Sequence, residues 1–307
     1  METYVIHVTK KCNMKCLYCY EDDKTSSYTW EQIKEFIDNL IKYRTSDVFS
    51  IEFLGGEPML EWDFIQKAYE YIEIEYNKVV NVTGYTITTN GTIFNDHIMR
   101  YLKDNKKISI AISLDGTKWA NQLRILKENN HNSYDVVVNN IKKLHENDLH
   151  VNVHIVTHPF NVAFLEESIE HLYSIGIKDI GIGTIESTMK IDEKYCESVV
   201  KKLNNISRKV VEGSLEGLSL DLFSWVKPLE DVRSYIRDKD GKVVGESYGR
   251  SGSDISKQDS IYNIDRCENK DDIAMMIYNM RREVYLNHKK NEKLYKKEIE
   301  NGIIREE

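Results

Sequence analysis

The chain lacks any apolar run approaching the roughly 18 residues that a membrane-crossing helix requires. It also lacks an apolar signal core, because METYVIHVTKKC passes straight into strand-like alternation. These two absences exclude a helical membrane span and a secretory leader, and they point to the cytoplasm. Positive charge is in deficit: a net charge of -8 argues against a generic nucleic-acid surface. The lysine pairs Lys142–Lys143, Lys201–Lys202, Lys289–Lys290 and Lys296–Lys297 sit in helical contexts beside acidic residues, as solvated helix faces do. No repeat of fixed period is evident. Cysteine is scarce, with 5 in 307 residues, which excludes a disulfide framework as the source of stability.

What is present is the composition of a soluble globular protein, 41% hydrophobic and 30% charged, long enough for one large domain or one domain with an appendage. The scarce cysteines are also unevenly placed. Cys12, Cys16 and Cys19 crowd the segment CNMKCLYCY, and Cys196 and Cys267 stand alone. In a reducing compartment such a cluster is metal-binding or catalytic. Three thiolates from one loop are soft ligands suited to an iron–sulfur cluster or to zinc. Structural zinc wants four protein ligands, and no CxxC or HxxxH lies nearby to complete the set; His7 would serve only if its strand turned it towards the loop. Ligand count therefore favours an incompletely ligated iron–sulfur cluster, with zinc or chance as alternatives.

Strand-like and helix-like segments alternate along the chain. TYVIHVT (3–9) alternates with period two and leads into the cysteine loop. TWEQIKEFIDNLIKY (29–43) predicts a helix, with Thr29 and Gln32 spaced as a capping box and Trp30, Ile33, Ile37, Leu40 and Ile41 as its apolar stripe. SIEFLG (50–55), GYTITTN (84–90), SIAISLD (109–115), HVNVHIVT (150–157) and DIGIGTI (179–185) follow as strands. The intervening helices run to about Tyr76, over 133–147, up to a C-cap at Gly176, and over 192–212 ending at Gly213. Six strand–helix units in order imply parallel strands with crossover helices.

The strands carry one apolar and one small or polar face. Val151, Val153 and Ile155 oppose Asn152, His154 and Val156, and Ile110, Ile112 and Leu114 oppose Ser109, Ala111, Ser113 and Asp115. A doubly wound sheet would show near-continuous apolar strands. The alternation instead suits a full or partial barrel whose outside packs on helices and whose inside surrounds a cavity. The expectation is an α/β fold, a partial (β/α)6 TIM-like barrel over 1–213, with an α+β extension over 214–307. That extension opens with a glycine- and serine-rich stretch reading as hairpins or a mobile loop, then becomes helical from Asp271 to about Glu300.

The cysteine loop would lie at the C-terminal mouth of such a barrel, where parallel (β/α) folds place their active sites. Its spacing, C-x3-C-x2-C with Tyr18 before the last cysteine, resembles the signature of the radical S-adenosylmethionine (radical SAM) superfamily. GGEP (Gly55 to Pro58) ends the second strand, TTNGT (88–92) the third and SLDG (113–116) the fourth. Together they resemble the peptide and protein maturases related to anaerobic sulfatase-maturating enzymes.

The resemblance implies one [4Fe-4S] cluster on Cys12, Cys16 and Cys19, with S-adenosylmethionine (SAM) on the fourth iron. Reductive cleavage would yield a 5′-deoxyadenosyl radical that abstracts a substrate hydrogen, the cofactors supplying that chemistry. It further implies that Gly55 and Gly56 admit the methionine moiety, that Glu57 receives its ammonium, and that Tyr18 presents backbone to the adenine. Thr88 and Ser113 would touch the nucleotide or carboxylate, Arg124 the carboxylate, and Val156 the adenine. His154, Asn152, Glu52 and His7 share the inner face as candidates for substrate contact, with buried, hydrogen-bonded polar residues as the plainer reading.

The implied substrate is a peptide or protein, and the implied partners are a reductant such as flavodoxin or ferredoxin and a separate peptide-recognition protein, with no nucleic acid or membrane. Small-molecule chemistry and a non-catalytic iron–sulfur or SAM-binding protein are the alternatives. The chain departs from the subgroup in offering only Cys196 and Cys267 where auxiliary clusters would need four thiolates. It also reads TKWANQL where a histidine–aspartate pair is usual, and begins directly at the first strand with no peptide-recognition domain before it. Cys196 or Cys267 would be a hydrogen donor if the reaction were an epimerisation.

Overall fold

The computed structural model describes residues 2–19, 24–44, 47–185, 193–221, 233–237 and 243–248. Along the chain run β1 (Glu2–Thr9), α1 (Trp30–Tyr43), β2 (Val48–Gly55), α2 (Trp62–Tyr71), β3 (Asn81–Thr89), α3 (Asp96–Asp104), β4 (Ile108–Ser113) and α4 (Tyr134–Glu146). Then come β5 (Val151–Thr157), α5 (Leu165–Ser174), β6 (Asp179–Thr184), α6 (Glu193–Val211), β7 (Ser219–Asp221), β8 (Arg233–Arg237) and β9 (Val243–Tyr248).

One sheet has the order β7-β6-β5-β4-β3-β2-β1-β9-β8. From β1 to β7 every neighbouring pair is parallel, whereas β9 runs antiparallel to β1 and β8 antiparallel to β9. Among the described residues the sheet does not close on itself, as expected of a partial barrel. The expected six strands are present, and a short seventh parallel strand, β7, lies beyond Gly213. The expected helix over 271–300 falls outside the described residues. Among the described residues no helix is long and apolar enough to cross a membrane.

The two faces of the sheet have unlike chemistry. Tyr4, Ile6, Phe49, Ile51, Phe53, Tyr85, Ile87, Ile110, Ile112, Val153, Ile155, Ile180 and Ile182 are all buried, pointing outward under the helices. Burial of each such side chain contributes roughly 1.5–3 kcal/mol. Their neighbours in sequence turn the other way; Val5 and Ala111 are buried there too, while in β5 the alternation is strict, with Asn152, His154 and Val156 on the open side.

Helix ends follow local chemistry. Thr29 and Gln32 form both bonds of the capping box, Gln32 N to Thr29 Oγ1 at 3.3 Å and Thr29 N to Gln32 Oε1 at 2.9 Å. Ile33, Ile37, Leu40 and Ile41 of α1 are buried as the stripe requires, and Trp30 packs edge-on against Tyr71. The sequence reading names no helix between the third and fourth strands. There α3 is only 9 residues long, with three buried apolar side chains, and is started by Asn95, whose side chain accepts from Ile98 N at 2.9 Å.

Candidate functional site

The cysteine loop leaves the C-terminal end of β1 and is gripped from both sides. On one side Gly56 N–H donates to Thr9 O at 2.9 Å and Glu57 N–H to Lys11 O at 2.8 Å. No side chain could stand there. A Cβ on Gly55 would lie 2.1 Å from Thr9 O, and one on Gly56 would lie 2.3 Å from Lys10 O and 2.4 Å from Lys11 O. The two glycines therefore admit the stem of the cysteine loop itself, a use of their missing side chains beyond the one the resemblance implies.

On the other side the loop pairs with the connection after β4. Lys15 N–H donates to Ile125 O at 2.8 Å, Leu17 N–H to Leu123 O at 3.0 Å, and Lys127 N–H to Asn13 O at 3.0 Å. The buried Met14 bridges to Leu126. From TTNGT, Asn90 Nδ2 donates to Asn13 Oδ1 at 2.8 Å and to Cys12 Sγ at 3.9 Å, while Met14 N–H donates to Cys12 Sγ at 3.4 Å.

The three thiols are half-buried. Burial pushes Cys12 and Cys16 above the usual thiol range; the Met14 N–H partly offsets this at Cys12, and the Arg124 guanidinium does so at Cys16. Cys12 and Cys16 each also feel the charge of Cys19, which places the three sulfurs in one neighbourhood. Among the described residues, however, no three histidine, cysteine or carboxylate side chains converge closely enough for a single metal ion. Three thiolates on one loop are soft ligands of the kind an iron–sulfur cluster takes, one per iron. A bound metal would supply the charge that overcomes the raised thiol pKa values.

Glu57 is fully buried. Its Oε1 accepts from Thr89 Oγ1 at 2.6 Å and from Met59 N at 3.0 Å, and its Oε2 accepts from Asn90 N at 2.7 Å. Burial drives its carboxyl up to about 7, against these three donors. Glu57 thus braces the turn after β2 against the TTNGT turn, and its carboxylate bonds to donors of the chain itself.

Tyr18 and Arg124 meet in a second buried group. Tyr18 Oη donates to Asp115 Oδ2 at 2.6 Å, and Val156 N–H donates to Asp115 Oδ1 at 3.1 Å. Arg124 Nε lies 3.1 Å from Asp115 Oδ2, the two side chains being 7% and 0% exposed, although its N–H is not aimed along that line. The guanidinium sits 5.3 Å from the Tyr18 ring centroid, and the His158 ring lies 5.1 Å from it. His158 is fully buried, its Nδ1 accepts from Phe160 N at 3.3 Å, and its Nε2 has no hydrogen-bond partner. Burial lowers it to about 4, so it is neutral at pH 7.

Thr88 Oγ1 donates to Glu52 Oε1 at 2.6 Å on the open face. Ser113 pairs in register with His154, and Val156 with Gly183. The structure thus gathers Cys12, Cys16, Cys19, Tyr18, Gly55, Gly56, Glu57, Arg124 and Val156 around the C-terminal ends of β1, β2, β4 and β5. It sets Thr88, Ser113, Glu52, Asn152 and His154 along the open face. Cys196 lies on α6, and Cys267 falls outside the described residues. Sequence reasoning missed Asp115, Asn90 and His158 as organising residues. Asp115 and Asn90 were legible, since both stand inside quoted motifs; nothing in HPF marked His158. The TKWANQL departure also has a use here, because Asn121 Oδ1 accepts from Asp115 N at 3.1 Å.

A family model described as the radical SAM superfamily matches residues 6–172. Among curated relatives, an uncharacterized protein of Methanocaldococcus jannaschii is 28% identical over 191 residues, 62% of this chain and 65% of its own length. A cysteine-type anaerobic sulfatase-maturating enzyme of Clostridium novyi is 28% identical over 156 residues, 47% of this chain and 40% of its own. A probable GTP 3′,8-cyclase of Methanocaldococcus jannaschii is 28% identical over 176 residues, 57% of this chain and 51% of its own. The chain therefore matches less than two thirds of the length of each. A solved structure of native anSMEcpe with bound AdoMet and Cp18Cys peptide superposes with a TM-score of 0.63 at 17% identity, covering 71% of this chain and 62% of that one. That likeness is one of fold.

Proposed function

The chain belongs to the radical SAM superfamily, a family that uses a [4Fe-4S] cluster and S-adenosylmethionine, and from that premise we propose that it modifies a peptide or protein substrate. The substrate class is a ribosomally made precursor peptide, and one cluster serves the reaction. The observation that carries the reading is the cysteine loop itself, three half-buried thiols pinned between the GGEP turn and the segment after β4, at the edge of an open polar sheet face.

Cys12, Cys16 and Cys19 would hold the cluster. Tyr18, Gly55, Gly56, Glu57, Thr88, Ser113, Arg124 and Val156 would surround the SAM. When bound, these cofactors supply reductive cleavage of a sulfonium to a 5′-deoxyadenosyl radical, which abstracts a substrate hydrogen.

The chain's own residues supply placement. The backbone bonds to Thr9, Lys11, Leu123 and Ile125 fix where the thiols stand. Arg124 brings positive charge beside Cys16 and favours its thiolate form. The open face, carrying Glu52, Thr88, Asn152 and His154, offers the polar groups that would orient a peptide. The kinship with a sulfatase-maturating enzyme supports a protein substrate. The reductant would be a flavodoxin or ferredoxin, and a separate protein would supply peptide recognition.

Anaerobically reconstituted protein given dithionite and SAM should release 5′-deoxyadenosine, and Cys16→Ala should abolish it. Co-expression with a precursor peptide encoded beside the gene should then give a mass change in that peptide. A loaded cluster that releases no 5′-deoxyadenosine would instead favour a non-catalytic carrier. The similarity to a GTP 3′,8-cyclase favours a second reading, action on a small molecule. Release of 5′-deoxyadenosine with every neighbouring peptide left unmodified would select it.

A further inference from the structure

Asp115 holds three elements together at one buried carboxylate. It stands two residues beyond the end of β4, its Oδ2 accepts from Tyr18 on the cysteine loop at 2.6 Å, and its Oδ1 accepts from Val156 N on β5 at 3.1 Å. Arg124 compensates its charge from 3.1 Å away, and Asn121 fixes its backbone N–H. No water reaches the carboxylate side chain, which is 0% exposed. Tyr18 stands between Cys16 and Cys19 in the sequence. Any shift of that stretch of the loop relative to β5 must therefore break or stretch a buried, charge-assisted hydrogen bond.

We propose that Asp115 is a positioning residue: through Tyr18 it sets the distance between the cysteine loop and the β5 end where the nucleotide lies. The inference rests on the reading that Cys12, Cys16 and Cys19 carry the cluster and that Val156 borders the nucleotide. The backbone bonds on the GGEP side hold the stem of the loop; this carboxylate holds its far end. Removing the Tyr18 hydroxyl leaves all three thiols available to iron but frees the loop to settle at more than one distance from β5, so binding that must span both elements weakens.

The test uses the full chain, anaerobically reconstituted, as Tyr18→Phe, Asp115→Asn and the double variant. Three quantities are measured: iron and sulfide content, the EPR signal of the reduced cluster, and the SAM concentration needed to change that signal. Tyr18→Phe keeps the ring against His158 and Arg124 and deletes one oxygen. Its iron content should match the parent, while half-maximal change of the EPR signal should require about tenfold more SAM, the scale of one buried charge-assisted bond.

Asp115→Asn should weaken SAM binding by at least as much, and the double variant should be no worse than Asp115→Asn, because both changes break one linkage. Unchanged SAM dependence in Tyr18→Phe overturns the proposal, as do effects of the two single changes that multiply in the double variant. Should Asp115→Asn fail to fold with Arg124 uncompensated, Tyr18→Phe alone decides. A parent whose EPR signal ignores SAM overturns the cofactor reading beneath, an outcome distinct from a parent that responds with variants that respond equally well.

Discussion

The two flanks of the cysteine loop are built from different materials. On the GGEP flank the contacts are backbone to backbone, made close by two glycines, with the buried Glu57 acting as a strut between turns. On the flank after β4, backbone pairing is joined by a charged group of Asp115, Arg124 and Tyr18, with His158 packed on the tyrosine. One flank fixes the loop by shape, the other by charge. Shape gives a fixed stop, because a carbonyl oxygen cannot yield to a methyl group. Charge gives a linkage whose strength depends on every member staying buried and paired.

Breaking the charged flank should have the largest effect. Arg124→Met leaves the Asp115 carboxylate buried with only Tyr18 and the Val156 N–H for company, and the apo protein should lose about 3–5 kcal/mol of stability. Chemical denaturation would measure it. The double variant Asp115→Asn/Arg124→Met should recover part of the loss, since no unpaired charge then remains. A loss below 1 kcal/mol in the single variant would mean that the pair is not the linkage described.

The shape flank should fail next. Gly56→Ala forces a Cβ to 2.3 Å from Lys10 O, so the loop stem must move, at a cost of about 3 kcal/mol and with loss of iron loading. Gly84→Ala on β3 is the control, because its Cβ would meet Lys107 O only at 3.8 Å; that variant should load iron normally. Equal loading by the two variants would show that the stem is not seated on Gly56.

Much of this is legible in the sequence. Strand alternation declared which residues face outward, as Val151, Val153 and Ile155 do, because period two leaves no other way to bury three branched side chains on one sheet face. The motifs declared which strand ends gather. The cross-linking was less accessible. Asp115 stands in SLDG, but nothing local says that its partner is Tyr18, 97 residues away, since such a pair forms only when β1 and β4 are brought to the same edge. His158 is a histidine after a strand, and its burial depends on Tyr18 arriving from elsewhere. Cβ positions around Gly55 likewise depend on the path of the loop stem. Sequence patterns carry local geometry; the long-range polar pairs follow from topology.

His158 sharpens the charged flank through pH. Burial lowers its pKa from 6.5 to about 4, so the unfolded chain takes up its proton first as pH falls. Stability from this group is intact above pH 6.5 and drains away as pH falls through that value to about 4, by up to about 3 kcal/mol. His158→Phe keeps a ring beside Tyr18 and removes the titration. The variant should match the parent at pH 7 and exceed it increasingly towards pH 4 in denaturation midpoints. A pH-independent difference would place the histidine outside the buried group.

The smallest effect should come from a side-chain contact on the shape flank. Asn90→Ala removes the bond to Asn13 and the contact with Cys12 Sγ, and strands Thr92 N, which donates to Asn90 Oδ1 at 3.0 Å. The expected cost is about 1 kcal/mol, with iron loading retained, because the glycines and the Thr9 and Lys11 carbonyls still seat the loop. If Asn90→Ala lost iron as completely as Gly56→Ala, the GGEP flank would be held by side chains after all, and the division between shape and charge would not stand.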